Sequence, residues 1–348
     1  MGRESYLQWA IENTPTVWWH DSAEPSELEL GLERGAVGVT TNPFLSHLAV
    51  STNKDKWSKE IDEALRGRSD QSNMSDKAER LMSVALKHAA GKLESVHQAS
   101  AGKMGYVCAQ VNPARAADRE YMLAAARRFH TWAPNIAVKL PATAAGLDVL
   151  EDCTAEGITA TLTISYTVPQ VIAIAERHRK GIARAKQAGL EPGRCFAVIM
   201  IGRLDDYLRD VAHDRKAKIS ESDIRQAGLA VSKRAYSIYT ERCYEATLIV
   251  AALRGTYHMT ELAGAEIIMS IAPPYQQMFV SEELAHEERI NQPIAADVIE
   301  RLYGLPEFVR AYEPDGMPPE DFIAYGVVQK TLAQFHEGGW KLLENFMT

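Results

Sequence analysis

The feature that most constrains the fold is a repeated alternation between short apolar runs, typical of buried strands, and longer segments with helical periodicity. The apolar runs predict eight strands, at residues 16–20, 36–41, 106–111, 136–140, 159–164, 195–201, 247–253 and 266–271. Predicted helices lie between them at residues 25–35, 116–132, 144–157 and 167–189, and each ends near a glycine or proline. No GxGxxG phosphate turn follows any of these runs. The pattern therefore favours an α/β fold of the (β/α)₈ TIM-barrel type, and an open doubly wound sheet stays the alternative.

Two segments fall outside the eight units. Residues 45–103 are long, helical and charged, which suits a helical insertion after the second strand. Residues 291–348 are predicted to form extra C-terminal helices. Because no internal repeat or flexible linker separates these parts, we expect residues 1–348 to form a single domain.

The composition excludes several classes of partner. The chain has 348 residues, 46% of them apolar and 24% charged, with a net charge of -8. An acidic protein has no electrostatic footprint for nucleic acid or anionic lipid, so an anionic small molecule must be held by locally placed arginines. No apolar run approaches the roughly 18 residues of a membrane span, and the N-terminal segment lacks the apolar core of a signal peptide. We expect no membrane association, a cytoplasmic location and possible assembly into a homo-oligomer.

The four cysteines support the same location. They lie far apart in sequence without a CxxC pair, at Cys108, Cys153, Cys195 and Cys243. Since Cys108, Cys195 and Cys243 lie in or beside apolar runs, we interpret them as core thiols in a reducing compartment. The ten histidines form no HExxH or other metal-binding pattern, so no metal site is expected.

Polar residues cluster where the predicted strands end, which is where a parallel barrel carries its chemistry. They are Asp21, Thr41, Asn42, Gln110, Lys139, Thr161, Thr163, Arg203 and Arg254. Strand alternation places Ala137 and Lys139 on one face of the fourth predicted strand, and the small size of Ala137 favours this face as the inward one. Lys139 is therefore expected to point into the barrel.

An inward lysine has a specific chemical use. Burial disfavours the ammonium form and yields a neutral amine, which attacks a carbonyl to form a Schiff base. Asp21, at the end of the first strand, is the candidate proton carrier. The alternative is that Lys139 extends to solvent or pairs with a carboxylate, as a lone lysine at a strand end usually does. His20 precedes Asp21, but strand alternation turns it away from this site.

Five segments resemble, in order and spacing, those of transaldolases. They are GVTTNPF (38–44), VKLPAT (138–143), EGITATLTISY (156–166), IGRLDD (201–206) and LRGTYHMTELAGAEIIMSIAP (253–273). The resemblance covers residues 17–274, and the TTNP and VKLPAT segments are its most specific part. It implies a (β/α)₈ barrel without a cofactor. In that barrel a lysine carries dihydroxyacetone as a Schiff base from a ketose phosphate to an aldose phosphate, in a reaction of the pentose phosphate pathway type.

The resemblance also implies roles by position. Lys139 matches the Schiff-base lysine, Asp21 the acid/base that cleaves the carbon–carbon bond, and Asn42 a contact to a substrate hydroxyl. Thr163 matches a threonine that helps to hold the catalytic water. Arg203 and Arg254 match the residues that bind the substrate phosphate, although each could instead form an ion pair with a nearby carboxylate, Asp205 or Asp206 in the case of Arg203.

Several positions depart from the transaldolase pattern. Gln110 replaces a glutamate on the third predicted strand, and its amide can orient a water but cannot take its proton. The related fructose 6-phosphate aldolases also have glutamine there, but they add a tyrosine on the sixth strand where this chain has Met200. Thr161 replaces an asparagine expected to contact the substrate beside Thr41, and Val198 replaces a serine.

These departures leave three hypotheses open. The chain is predicted to be a transaldolase that transfers dihydroxyacetone between sugar phosphates. An aldolase that releases dihydroxyacetone, or a transaldolase of altered substrate, is the first alternative. A non-catalytic sugar-phosphate-binding barrel is the second, and retention of both Lys139 and Asp21 argues against it.

Overall fold

A computed structural model describes residues 4–66 and 74–347. Within them the chain forms one sheet of seven parallel strands. The strands are β1 (Val17–His20), β2 (Val107–Gln110), β3 (Ile136–Pro141), β4 (Ala160–Thr163), β5 (Cys195–Met200), β6 (Thr247–Ala251) and β7 (Ile268–Ile271). Their order across the sheet is β1-β7-β6-β5-β4-β3-β2, so consecutive strands from β2 to β7 are neighbours and β7 pairs with β1. Seven of the eight predicted strands are confirmed.

The segment predicted as the second strand closes the barrel without forming a regular strand. Val39 makes isolated parallel bridges to His20 on β1 and to Val107 on β2, the two edges of the sheet. The backbone N–H of Val39 donates to Tyr106 at 2.8 Å, and that of Thr40 donates to His20 at 2.9 Å. The α/β barrel architecture is therefore confirmed, and the prediction of a full strand at residues 36–41 is wrong.

The closing segment is short for a local reason. It lies between Gly35, whose φ is 93°, and Asn42, which caps the next helix, so only residues 36–41 are available to extend along the sheet edges. Gly38 passes directly over the indole of Trp19, and a Cβ at this position would lie 2.4 Å from the ring. Since that distance is far below van der Waals contact, only glycine lets the backbone approach closely enough to pair with both edges.

Helices surround the barrel and extend it at both sequence ends. Sixteen α-helices lie in the described residues: α1 (Tyr6–Asn13), α2 (Pro25–Glu33), α3 (Pro43–Thr52), α4 (Ser58–Leu65), α5 (Met74–Ala99), α6 (Arg119–His130), α7 (Ala144–Ala155), α8 (Val168–Gln187), α9 (Ile201–Asp214), α10 (Glu221–Glu241), α11 (Tyr257–Thr260), α12 (Pro273–Ser281), α13 (Ala296–Leu302), α14 (Pro306–Tyr312), α15 (Gly326–Phe335) and α16 (Lys341–Glu344). Short 3₁₀ segments occupy Pro113–Arg115 and Pro319–Ala324, and a π-helical turn occupies His336–Trp340.

Side-chain caps explain where the helices after the strands begin. Thr143 accepts from the N–H of Gly146 at the start of α7, and Thr167 accepts from Gln170 at the start of α8. Asp118 caps α6 in the same way. A cap satisfies backbone N–H groups that have no partner within the helix. These three residues therefore determine where their helices begin. The helices predicted at residues 25–35, 116–132, 144–157 and 167–189 are confirmed in their central parts.

The predicted helical additions are present in the described residues. Helices α3, α4 and α5 follow the closing segment, and residues 67–73 of the predicted insertion lie outside the described residues. Helices α13 to α16 follow β7. Within the described part of the chain, no helix is long and apolar enough to cross a bilayer.

The core contains the expected aromatic residues. Trp19 lies inside the barrel, where its ring centroid is 4.8 Å from that of Phe196. Three cysteines are buried free thiols, namely Cys108, Cys153 and Cys195. Cys243 is exposed in a turn at the end of α10, where its φ is 49°, so the prediction of a core thiol at this position is wrong.

His20 is buried on the outer side of β1, as strand alternation predicts. The amide of Gln276 donates to Nδ1 of His20 at 2.8 Å and to the carbonyl of Ile271 at 2.7 Å. Nδ1 is thus an acceptor and the ring proton lies on Nε2, which has no partner in the described residues. Burial lowers the pKa of His20 to about 4, although the hydrogen bond with Gln276 and the negative charge of Glu24 oppose the shift.

We predict that this histidine makes the fold acid-sensitive. As pH falls, His20 is protonated near pH 6.5 in the unfolded chain but only near pH 4 in the folded protein. Stability from this group is therefore complete above pH 6.5 and is lost as pH falls toward 4, by about 3 kcal/mol in total. His20→Asn keeps an acceptor for Gln276 but cannot titrate, so urea unfolding should show a smaller loss of stability between pH 7 and 4.5.

The matched control is His213→Asn, because the side chain of His213 is 88% exposed. This variant should keep the acid dependence of the original protein. Equal pH slopes for His20→Asn and the unmodified chain would contradict the prediction.

Candidate active site

A cavity of about 220 Å³ lies at the carboxyl ends of the strands. Six of the nine site residues predicted from the sequence line it, namely Asp21, Asn42, Lys139, Thr163, Arg203 and Arg254. The other three, Thr41, Gln110 and Thr161, are buried beside it. A single cavity thus collects predicted site residues as distant in sequence as Asp21 and Arg254.

Lys139 lies near the end of β3 and points into the barrel. Its side chain is 7% exposed, and Nζ donates a hydrogen bond of 2.7 Å to the backbone carbonyl of Thr41. Burial lowers the pKa of this amine below its ordinary value, although the negative charge of Asp21 opposes the shift. The lowered pKa increases the neutral fraction of this amine, and the closing segment holds it in place.

Asp21 lies directly after β1 in the same cavity. Burial raises the pKa of its carboxyl, while Lys139 and a hydrogen bond from Thr40 oppose the rise. The hydroxyl of Thr40 donates to Oδ1 of Asp21 at 2.7 Å, so the 2.6 Å contact between Thr40 and Ser270 must use the Ser270 proton. A relay from Ser270 through Thr40 to Asp21 results. A carboxyl with a raised pKa can both accept and return a proton near neutral pH.

Gln110 lies on β2 opposite Lys139 in the strand register. Its side chain is buried, and Oε1 has no hydrogen-bond partner in the described residues. Leaving a buried acceptor unpaired costs about 1–3 kcal/mol, so this atom is suited to a water or a substrate hydroxyl. As an amide, it can orient such a group but cannot remove its proton.

Thr163 and Asn42 line the cavity with unused donors. The hydroxyl of Thr163 has only a weak contact, 3.9 Å to the sulfur of Met200. Oδ1 of Asn42 accepts from the N–H of Leu45 at 3.0 Å and caps α3, while its amide protons have no partner in residues 4–66 and 74–347. Both side chains are therefore free to donate to a bound ligand.

Thr41 and Thr161 make protein contacts. The hydroxyl of Thr41 donates to the carbonyl of Cys108 at 2.7 Å, and only its backbone carbonyl reaches Lys139. The hydroxyl of Thr161 lies 3.4 Å from the sulfur of Cys108. Neither side chain lines the cavity, so the structure gives no direct support for their predicted contact with substrate.

The two arginines differ in their surroundings. Arg203 donates from Nη1 to Gln334 at 2.6 Å, and its Nε and Nη2 have no partner in the described part of the chain. Burial lowers the pKa of its guanidinium, but arginine remains charged. Arg254 instead donates twice to one carboxylate oxygen of Asp206, at 2.9 and 2.7 Å.

The ion pair that the sequence left open for Arg203 is thus formed by Arg254. Asp205, the other candidate carboxylate, is buried and contacts Nε2 of His258 at 3.0 Å and the N–H of Gly228 at 2.8 Å. Nδ1 of His258 accepts from the backbone N–H of Arg254 at 3.1 Å, so Asp205 and His258 fix the loop that carries Arg254. Arg203 is the cation that remains free for an anionic ligand.

Sequence reasoning missed four residues that line the cavity: Thr40, Ser270, Tyr275 and Phe335. For Thr40 and Ser270 a signal existed, because both follow the inward parity of their segments. Phe335 comes from α15, some 60 residues beyond β7, and no local pattern in the sequence indicates its approach to the barrel.

A larger groove of about 730 Å³ lies elsewhere, between α10 and residues 290–312. Its two cations are already engaged: Lys233 binds the carbonyls of Arg289 and Gln292, and Arg234 pairs with Glu313. The cations of this groove are therefore less available to a ligand than those of the cavity around Lys139. No cluster of three or more potential metal ligands occurs in the described residues, and the absence of a metal from the function stays a prediction.

Fold and cavity together define a class: an α/β barrel whose strand ends surround a buried lysine and a buried carboxylate. The sequence profile of the family "Transaldolase/Fructose-6-phosphate aldolase" matches residues 18–337. The chain belongs to this family. The resemblance identified from the five motifs is confirmed.

Individual relatives agree with the profile. A protein named Transaldolase from Thiobacillus denitrificans is 26% identical over 320 residues, which cover 90% of this chain and 88% of the relative. Transaldolase 1 of Streptomyces avermitilis is 30% identical over 223 residues, covering 61% of this chain and 56% of that protein. A Transaldolase from Thermobifida fusca is also 30% identical over 223 residues, with 61% and 58% covered.

We predict that Thr40 sets the pKa of Asp21. Its hydrogen bond favours the ionised carboxylate, so Thr40→Val should raise the pKa of Asp21 further at nearly constant side-chain volume. Infrared difference spectroscopy across a pH titration would follow the C=O band of the protonated carboxyl, with Asp21→Asn identifying that band.

The control is Thr154→Val, because Thr154 is a buried threonine in α7 whose hydroxyl has no partner in the described residues. It should leave the band unchanged. An unshifted band in Thr40→Val would show that the relay does not act on Asp21.

Proposed function

We propose that this protein is a transaldolase that transfers a dihydroxyacetone unit from a ketose phosphate to an aldose phosphate through a Schiff base on Lys139. The observation that carries the proposal is the buried Lys139 amine in one cavity with the Asp21 carboxyl. Family membership supports the same chemistry. We further propose a role of the pentose phosphate pathway type in the cytoplasm, which the buried free thiols of the core support.

The proposed reaction begins at Lys139. Its neutral Nζ attacks the ketose carbonyl, and loss of water with uptake of one proton from solvent leaves a protonated Schiff base. Gln110 and Thr163 hold the water that leaves and later returns. Asp21 removes the proton from the hydroxyl on the far carbon of the bond that breaks, and the bonding electrons move toward the iminium nitrogen. An aldose phosphate departs, and an enamine stays bound to Lys139.

The second half-reaction reverses these steps with a new aldehyde. The enamine carbon attacks the acceptor aldehyde, Asp21 returns its proton to the new hydroxyl, and water releases the product ketose. Because the same carboxyl gives and takes a proton, a pKa raised by burial suits both steps.

The inner wall of the cavity supports transfer over release. Release of dihydroxyacetone requires protonation of the enamine carbon before hydrolysis. Met200 and Val198 line the cavity, and neither side chain can donate a proton for that step. The enamine should therefore persist until an aldehyde arrives. Gln110, the glutamine expected of fructose 6-phosphate aldolases, favours the alternative of an aldolase that releases dihydroxyacetone.

We predict that Lys139 carries a three-carbon adduct. Incubation with dihydroxyacetone followed by borohydride should reduce the Schiff base to a stable amine, visible as a mass shift on the peptide that contains Lys139. Lys139→Ala should lose the adduct and all activity. Asp21→Ala should still trap dihydroxyacetone, because only bond cleavage needs its carboxyl, but should cleave a ketose phosphate very slowly.

Lys233 provides the control for labelling, since it is a largely buried lysine outside the cavity. Its peptide should carry no adduct. A folded protein that gives no adduct, or one labelled only at another lysine, would contradict a Schiff base on Lys139. The alternative of a non-catalytic sugar-phosphate-binding barrel would then be favoured.

We predict that turnover requires an acceptor. Fructose 6-phosphate alone should be consumed at most to the level of one enzyme equivalent, because the enamine waits on Lys139. Adding erythrose 4-phosphate should start continuous turnover, measured by the appearance of the seven-carbon ketose phosphate. Steady release of free dihydroxyacetone without the acceptor would instead identify an aldolase.

A further inference from the structure

The C-terminal helix α15 crosses the mouth of the barrel and is fixed at two points. The hydroxyl of Tyr166, just after β4, donates to Thr331 at 2.6 Å, and both side chains are fully buried. After the helix, Gly339 lies against the backbone of Pro43 and Phe44, where a Cβ would come within 2.6 Å of a backbone nitrogen. The segment between these points is thereby held next to the cavity.

Arg203 contacts this held segment through two consecutive residues. Its Nη1 donates to Oε1 of Gln334 at 2.6 Å, and its guanidinium carbon lies 5.1 Å from the ring centroid of Phe335. Phe335 also lines the cavity. One contact fixes an end of the guanidinium and the other fixes its face, so together they restrict the plane of the group.

The π-helical turn begins at His336, directly after Phe335. Such turns insert one extra residue into a helix and often occur at functional sites. Here the extra residue lies between Phe335, which contacts Arg203, and Gly339, which packs against the backbone of Pro43 and Phe44. The turn therefore allows one segment to make both contacts.

Arg254 has a different support. Its N–H groups bind Asp206 and the carbonyls of Ala252 and Leu253, so its charge is largely neutralised within its own part of the site. Nε and Nη2 of Arg203 have no partner in the residues that the structure describes. A half-buried guanidinium without a carboxylate partner is suited to a bound anion.

We propose that Gln334 and Phe335 are positioning residues that orient Arg203 for the phosphate group of the substrate. The identity of the substrate in this inference rests on the proposed function. The contact itself involves only Arg203 and a single phosphate dianion. Arginine side chains lose considerable rotamer freedom when they bind, and holding Arg203 in advance reduces that loss.

The experiment measures binding of inorganic phosphate to the full chain by titration calorimetry. Arg203→Ala should abolish binding. Gln334→Ala should weaken it about threefold, since only the orientation of Arg203 is lost. Gln334→Glu should weaken it at least about tenfold, because its carboxylate would pair with Arg203 and compete with the phosphate. Phe335→Leu, which keeps an apolar side chain but removes the ring, should resemble Gln334→Ala.

Gln329 supplies matched controls on the same helix. Its side chain is exposed, donates only to the carbonyl of Ile323 among the described residues and does not line the cavity. Gln329→Ala and Gln329→Glu make the same chemical changes and should bind phosphate like the unmodified protein. If Gln329→Glu weakened binding as much as Gln334→Glu, a general effect of negative charge would replace the proposed contact. Unchanged binding in Gln334→Glu would overturn the inference directly.

Kinetics with a ketose phosphate add a second readout. Gln334→Ala should raise KM for the phosphorylated donor and leave kcat within about twofold. This result is expected when a substitution weakens binding of the substrate and of the transition state equally. A fall in kcat with KM unchanged would contradict a positioning role toward phosphate. Dihydroxyacetone has no phosphate, so borohydride trapping on the unmodified protein tests Lys139 independently. Failure of trapping rejects the proposed function, and failure of the phosphate series rejects only the role of Gln334 and Phe335.

Discussion

Burial of the Lys139 nitrogen is the constraint around which the site is organised. An ammonium in a barrel interior is unfavourable unless it is hydrogen-bonded and paired with an opposite charge. Nζ donates to the carbonyl of Thr41, and Asp21 lies in the same cavity. Burial lowers the pKa of Lys139 and raises that of Asp21, and the charge of each group opposes the shift of the other.

The cations at the mouth of the barrel have separate tasks. Arg254 and Asp206 form a half-exposed ion pair, which contributes little to stability but holds a loop already fixed by Asp205 and His258. Arg203 forms no ion pair within the part of the chain that the structure describes and donates only to the neutral side chain of Gln334. Because the chain has a net charge of -8, it repels anions at long range. The position of Arg203 therefore determines where an anion binds at short range.

Much of this arrangement could be predicted from the sequence, and the failures have identifiable causes. Alternation along β3 sufficed to turn Lys139 inward, because a fully buried strand still has strict two-residue parity. The same rule applied to the closing segment would have selected Thr40, since Gly38 faces Trp19 and Thr40 shares its parity, whereas attention to the TTNP motif favoured Thr41. Cys243 follows helix-like apolar residues but lies in a positive-φ turn, which composition does not reveal. The approach of Gln334 to Arg203 joins elements 131 residues apart and has no local signal at all.

The closing segment gives the chemistry a dependence on folding itself. Val39 joins the two edges of the sheet, and its neighbours Thr40 and Thr41 supply the hydroxyl that binds Asp21 and the carbonyl that binds Lys139. Pairing of Val39 with Val107 brings together residues separated by the whole helical insertion, so the chain between them must close into a loop for this contact to form. Asp21 and Lys139 therefore acquire these two partners only when the closing segment is in place. A brief local opening of this seam would disconnect both groups while the rest of the barrel stayed folded.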